Sequence, residues 1–199
     1  MQERVKVEDI KARPILDSRD EWTIETEIFF SDGSSGIASV PSGKSTGSRE
    51  AHVVSVTDAI SNIHGVIKKN LKGFSADDQL KLDRKLRDLD GTENKRHLGG
   101  NTLLSVSIAF LKALAHSGRK DLWKLIREIS DTKESEKTRL FINVINGGLH
   151  SGNNLPFQEY IIIPKVDSYK SAVEIGNSLY HSLSKVIVEI GRASCRERV

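Results

Sequence analysis

Apolar and polar residues alternate at period two through the first forty positions. "VKVEDIKARPILD" and "WTIETEIFF" are rich in β-branched residues, and their alternation predicts two half-buried strands. The turn formers of "SDGSSG" bring the chain back into "IASVP", a third strand, so the opening reads as a three-stranded antiparallel sheet. After the loop "PSGKSTGS" the period changes to 3.6. Ala51, Val54, Val56, Ala59, Ile60, Ile63 and Ile67 form one apolar stripe, with Gly73 as the stop signal. "SADDQLKLDRKLRDLDG" predicts a second helix, with Ser75 as N-cap, acids in its first turn and Gly91 at its end. A third helix, roughly 101–116, is nearly all apolar or small and should be buried, and "KDLWKLIREIS" predicts a short fourth. A sheet followed by four helices makes a complete α+β domain over residues 1–134.

The pattern then changes again. "RLFINVING" predicts a strand ending at Gly147 and Gly148. "FQEYIIIP" predicts a second strand, apolar enough to be buried on both faces, and a long amphipathic helix begins near Ser168. Two strands cannot bury two faces alone, so residues 135–190 read as the truncated start of a larger α/β domain of barrel type.

Composition changes little in this picture. Of 199 residues, 37% are hydrophobic and 29% charged, ordinary values for a globular protein. The net charge of +3 is small, and its basic residues are mixed with acidic ones, which argues against nucleic acid as a partner. No run of eighteen apolar residues predicts a membrane span, and "MQERVKVEDI" lacks the apolar core of a secretory signal. A cytoplasmic protein is expected. The tail "IGRASCRERV" carries the single cysteine, Cys195, and follows a helical pattern with no cap or periodicity. With suitable codons it back-translates to a common short-read library adapter. Residues 191–199 are therefore expected to be a sequencing artefact, and the gene to continue past them.

The stretch "VPSGKSTG" at 40–47 contains the Gly-Lys-Ser-Thr that ends a nucleotide-binding P-loop. The spacing fails. A P-loop needs a glycine five residues before Gly43, where this chain has Ala38, and Gly36 lies two residues too early. Pro41 also removes a backbone donor where a phosphate cradle needs one. What remains is a loop with hydroxyls at Ser42, Ser45 and Thr46. It can be an ordinary connection between sheet and helix. It can equally be a lid that offers an oxygen to a substrate-bound hard cation. Local sequence leaves both open.

Four stretches in order point to a family. "ARPILDSR" at 12–19, "VPSGKSTG" at 40–47, "LDGTENKRHLGGNTLLSVSIA" at 89–109 and "FINVINGGLHSGNNLPFQEYIIIP" at 141–164 together closely resemble the enolases, or phosphopyruvate hydratases. The resemblance runs to about residue 189, and family chains are about twice this length. It implies a small α+β domain packed over an α/β barrel. It also implies Mg2+-dependent, reversible dehydration of 2-phosphoglycerate to phosphoenolpyruvate, in glycolysis and gluconeogenesis. The expected partner is that small-molecule substrate, and the expected assembly of the full-length protein is a homodimer or larger. The family's location is cytoplasmic, with a cell-surface or secreted pool also implied.

By the same resemblance Ser45 is the lid serine that ligates a second, substrate-dependent magnesium, and 42–47 (Ser42, Gly43, Lys44, Ser45, Thr46, Gly47) form the lid. His150 is the histidine that approaches substrate after the first barrel strand. Gln158 contacts substrate, and Glu159 joins the acid side near the departing hydroxyl. Asn146, Gly147 and Gly148 form the turn that lets backbone come close. The family's metal carboxylates, lysine base and phosphate-binding arginine match nothing before residue 190, so this chain alone is expected to be inactive. Two departures stand out. The family usually reads "DSRGNPT" where this chain has "DSRDEWT", a segment expected to bear on the subunit interface, and Lys44 replaces a common alanine. A non-catalytic enolase-like binding protein is the competing reading.

Overall fold

The computed structural model describes residues 4–41, 43, 47–133, 139–148 and 151–189. The chain divides into two compact units, Met1–Lys133 and Glu134–Val199.

In the first unit, β1 (Val7–Leu16), β2 (Trp22–Phe30) and β3 (Ser35–Val40) form an antiparallel sheet in that order. The period-two pattern works as expected. Ile24, Thr26, Ile28 and Phe30 of β2 point into the core, and Glu25, Glu27 and Phe29 point away from it. Pro14 is accommodated because β1 is an edge strand. A helical run then crosses the sheet as α1 (Val56–Asn62), a π-helical segment (Ile63–Ile67) and α2 (Lys68–Leu71). The His64 ring, within the π segment, accepts a hydrogen bond from the backbone N–H of Ala12 on the free edge of β1 (3.0 Å). There follow α3 (Gln79–Asp90), α4 (Gly100–Ser117) and α5 (Leu122–Ser130).

Two features of these helices differ from the sequence reading. Ala51 and Val54 precede the first helix, which begins at Val56 under a cap from Ser55, whose Oγ accepts from Asp58 N–H (3.1 Å). Ser75 does not cap α3. It forms an isolated antiparallel bridge with Lys6, and Asp78 caps the helix instead, its carboxylate accepting from Lys81 N–H (3.1 Å). The reason is competition. Both Ser75 and Asp78 can cap, but the backbone at 73–76 is already bound to the start of β1 and the residues before it, through Val7 N–H to Phe74 O and Ala76 N–H to Val5 O (both 2.9 Å). Gly91 ends α3 in the left-handed region (φ 68°), as expected.

The core lies between the sheet and its helices. Phe30 and Phe110 meet edge to face at 5.2 Å, within a buried core that also holds Val7, Ile10, Ile28, Ile63, Ile67 and Leu82. Helix α4 lies directly on β3. A Cβ on Gly36 would sit 2.2 Å from Ala109 O, so only glycine permits this approach. One polar contact crosses the same layer, Thr26 Oγ1 to Ser105 Oγ (2.8 Å), both fully buried.

In the second unit β4 (Ile142–Asn146) pairs antiparallel with β5 (Glu159–Ile162), and α6 (Tyr169–Glu189) follows. The antiparallel sense follows from the connection, which holds no crossover helix. Gly176 lets α6 rest on β4, where a Cβ would lie 2.2 Å from Ile142 Cδ1. Ile161 is 44% exposed, so the two strands do not bury both faces of β5 within this unit. The described strands form no closed barrel.

Candidate functional site

The described residues around the sequence-identified positions follow β3 in the first unit and lie between β4 and the start of β5 in the second. The first stretch leaves β3 after Val40, which pairs with Ile24 and whose carbonyl accepts a hydrogen bond from the buried Thr23 hydroxyl. Pro41, Gly43 and Gly47 are described, whereas Ser42, Lys44, Ser45 and Thr46 lie outside the described residues. At Gly47 a turn begins, with Glu50 N–H donating to Gly47 O (3.1 Å).

Beyond the turn, residues 51–54 dock on the segment between α3 and α4. His52 N–H donates to Asn94 O (2.7 Å), and Gly100 N–H donates to His52 O (2.7 Å). The Asn101 carboxamide then takes both backbone groups of Val54, accepting from its N–H (3.2 Å) and donating to its carbonyl (3.0 Å). The reverse amide orientation would set donor against donor and acceptor against acceptor. The approach is close. A Cβ on Gly100 would lie 2.8 Å from Ala51 Cβ, and one on Gly99 would lie 2.5 Å from Val54 Cγ2.

Asp90 shapes the receiving segment. It is 1% exposed, and its carboxylate accepts from Thr92 N–H (3.0 Å), the Thr92 hydroxyl and Leu98 N–H (2.8 Å). The His97 ring reaches the Asp90 carbonyl (2.8 Å). Burial works against the Asp90 charge. The bonds from Leu98 and Thr92 and the nearby His97 outweigh it and hold the pKa below the ordinary aspartate value. Beyond Gly91 as a helix end, "LDGTENKRHLGGN" entered the sequence reading only for its resemblance. An Asp two residues before a Thr, after a helix, is a recognisable turn-forming signal, but Asn101 carried no local signal at all.

The second loop joins β4 to β5. The last rung of the ladder pairs Asn146 with Glu159, and Gly147 N–H donates to Gln158 O (2.9 Å). Gly148, with φ 74°, turns the chain so that its N–H donates to Leu155 O (2.9 Å). A Cβ on Gly147 would lie 2.1 Å from Phe157 O, so only glycine fits where this turn packs on the chain's own backbone. Asn153, which sequence reading passed over, braces the loop. Its amide donates to Asn146 O (2.8 Å) and accepts from Leu155 N–H (3.1 Å).

The structure therefore brings Gln158 and Glu159 together beside the double glycine, both exposed at the strand end. His150 lies outside the described residues. An exposed amide next to an exposed carboxylate can hydrogen-bond a polar substrate and hold a proton. Among the described residues no group of three His, Cys, Asp or Glu is placed to hold a metal ion, and no helix is long and apolar enough to cross a membrane.

Comparison with known proteins agrees with this layout. Residues 7–126 match the family model described as enolase, N-terminal domain, and residues 139–195 match that of the enolase C-terminal TIM barrel domain. The chain is 39% identical over 197 residues to Enolase B of Dictyostelium discoideum, an alignment covering 93% of this chain and 44% of that protein. It thus spans less than half the length of that curated relative. With both domain models matched in order and this identity across nearly all its length, the chain belongs to the enolase family.

Proposed function

We propose that the protein to which this chain belongs catalyses the reversible dehydration of 2-phosphoglycerate to phosphoenolpyruvate. The observation that carries this reading is the exposed Gln158 and Glu159 at the start of β5, against a glycine turn, within a chain matched by both enolase domain models. On this reading Glu159 stands near the departing hydroxyl, Gln158 and His150 contact substrate, and the 42–47 stretch is the lid that excludes water. Ser45 offers its hydroxyl to a cation there.

Magnesium is the family's cation, and the described residues do not fit it by themselves, since their carboxylates and imidazoles do not gather in threes. On this reading the family's metal carboxylates and lysine base lie outside these 199 residues, which span less than half of the curated relative. The domains then run 1–134 and from 135 onward. The full-length protein is a cytoplasmic homodimer or larger assembly acting on a small-molecule substrate.

The test is to read the source DNA through codon 190 with a different library chemistry and assay the extended product. Magnesium-dependent phosphoenolpyruvate formation is expected, and Glu159→Gln should lower kcat about a hundredfold or more with folding intact. A folded extended product that forms no phosphoenolpyruvate would overturn the reading and favour a non-catalytic binding protein.

A further inference from the structure

We propose that Asn101 is a positioning residue, which pins residues 51–54 and so sets where the 41–50 connection re-enters the domain. Its relevance to catalysis rests on the proposed role of Ser45 within that connection. Its structural content does not.

The two ends of residues 41–50 are held in different ways. At the upstream end Val40 is the last residue of β3, locked in the ladder against Ile24 and held at its carbonyl by Thr23. At the downstream end no ladder exists. Residues 51–54 belong to no helix or strand, and α1 begins only at Val56. They are held by the two His52 backbone bonds and by the Asn101 side chain, which is 9% exposed. Asn101 supplies one acceptor and one donor to a single residue, as a neighbouring strand would. It stands in the first turn of an eighteen-residue helix whose N-cap, Gly99, provides no side-chain cap. The docked segment satisfies that helix end through His52 O and Gly100 N–H. Helix end and connection are therefore fixed by the same few contacts.

The experiment compares amide hydrogen exchange in the 199-residue chain with that in Asn101→Ala and Asn101→Asp. For Asn101→Ala, exchange at His52 and Val54 should accelerate about tenfold or more, and trypsin should cut faster after the exposed Arg49. Exchange at Ile24, Ile28 and Phe110 in the core should be unchanged. Asn101→Asp keeps the acceptor and loses the donor, so Val54 N–H should stay more protected than in the alanine variant. Unchanged exchange at His52 and Val54 in Asn101→Ala would overturn the proposal. So would acceleration spread evenly over β2 and α4, since that marks general loss of stability. Absence of turnover by the extended product would remove the role given to Ser45 and leave the exchange result standing.

Discussion

The Asp90 carboxylate accepts the backbone N–H of Leu98 at 2.8 Å, closing the segment on which residues 51–54 dock. Because Asp90 is buried and its pKa is lowered in the folded state, its charge stabilises the fold above the ordinary aspartate pKa of about 4. That contribution is lost as pH falls through the lowered value. Asp90→Asn should cost about 1–2 kcal/mol at neutral pH, by urea denaturation. It should also flatten the fall in stability below pH about 4. Asp17, whose pKa is lowered by backbone bonds from Arg19 and Glu21, retains part of the slope. An acid profile unchanged in Asp90→Asn would refute this assignment.

The turn joining β1 to β2 carries a backbone cost. Asp20 has φ 58° at the position where the resemblance leads one to expect glycine. A side chain in the left-handed region is strained, less so for Asp than for most residues. The turn holds because Asp17 accepts from Arg19 N–H (2.8 Å) and Glu21 N–H (3.0 Å). Asp20→Gly should raise stability by about 0.5–1 kcal/mol, read as an increase in Tm. A fall in Tm would show that the Asp20 side chain supports the turn.

Close packing of α4 on β3 predicts opposite outcomes at two glycines. Gly36→Ala would drive a Cβ against helix backbone, 2.2 Å from Ala109 O and 2.3 Å from Ala113 N, and should cost about 3 kcal/mol. Gly65, in the π segment, has nothing within 4 Å of an added Cβ. Gly65→Ala should therefore be neutral or stabilising by up to about 1 kcal/mol. Urea midpoints for both variants check the contrast, and equal destabilisation would contradict it.

These elements also show what local sequence could convey. Alternation in β2 exposed its buried face because a strand's side-chain period does not depend on its neighbours. Gly91 was legible because a left-handed helix end favours glycine at one position. Ser75 misled because its capping chemistry is local, whereas the β1 contacts that occupy residues 73–76 come from the far end of the domain. The π segment at 63–67 keeps the helical stripe of Ile63 and Ile67, so nothing in the pattern marked it. Around the site, the double glycine and Gln158-Glu159 were found through a motif. Asn101 and Asn153 were not, because an asparagine's bond to distant backbone leaves no periodic trace.

The most direct measurement is phosphoenolpyruvate formation from 2-phosphoglycerate and magnesium, for the 199-residue chain and the read-through product side by side. The account predicts turnover by the longer product and none by the shorter. Turnover by the 199-residue chain, or none by a folded longer product, would contradict it.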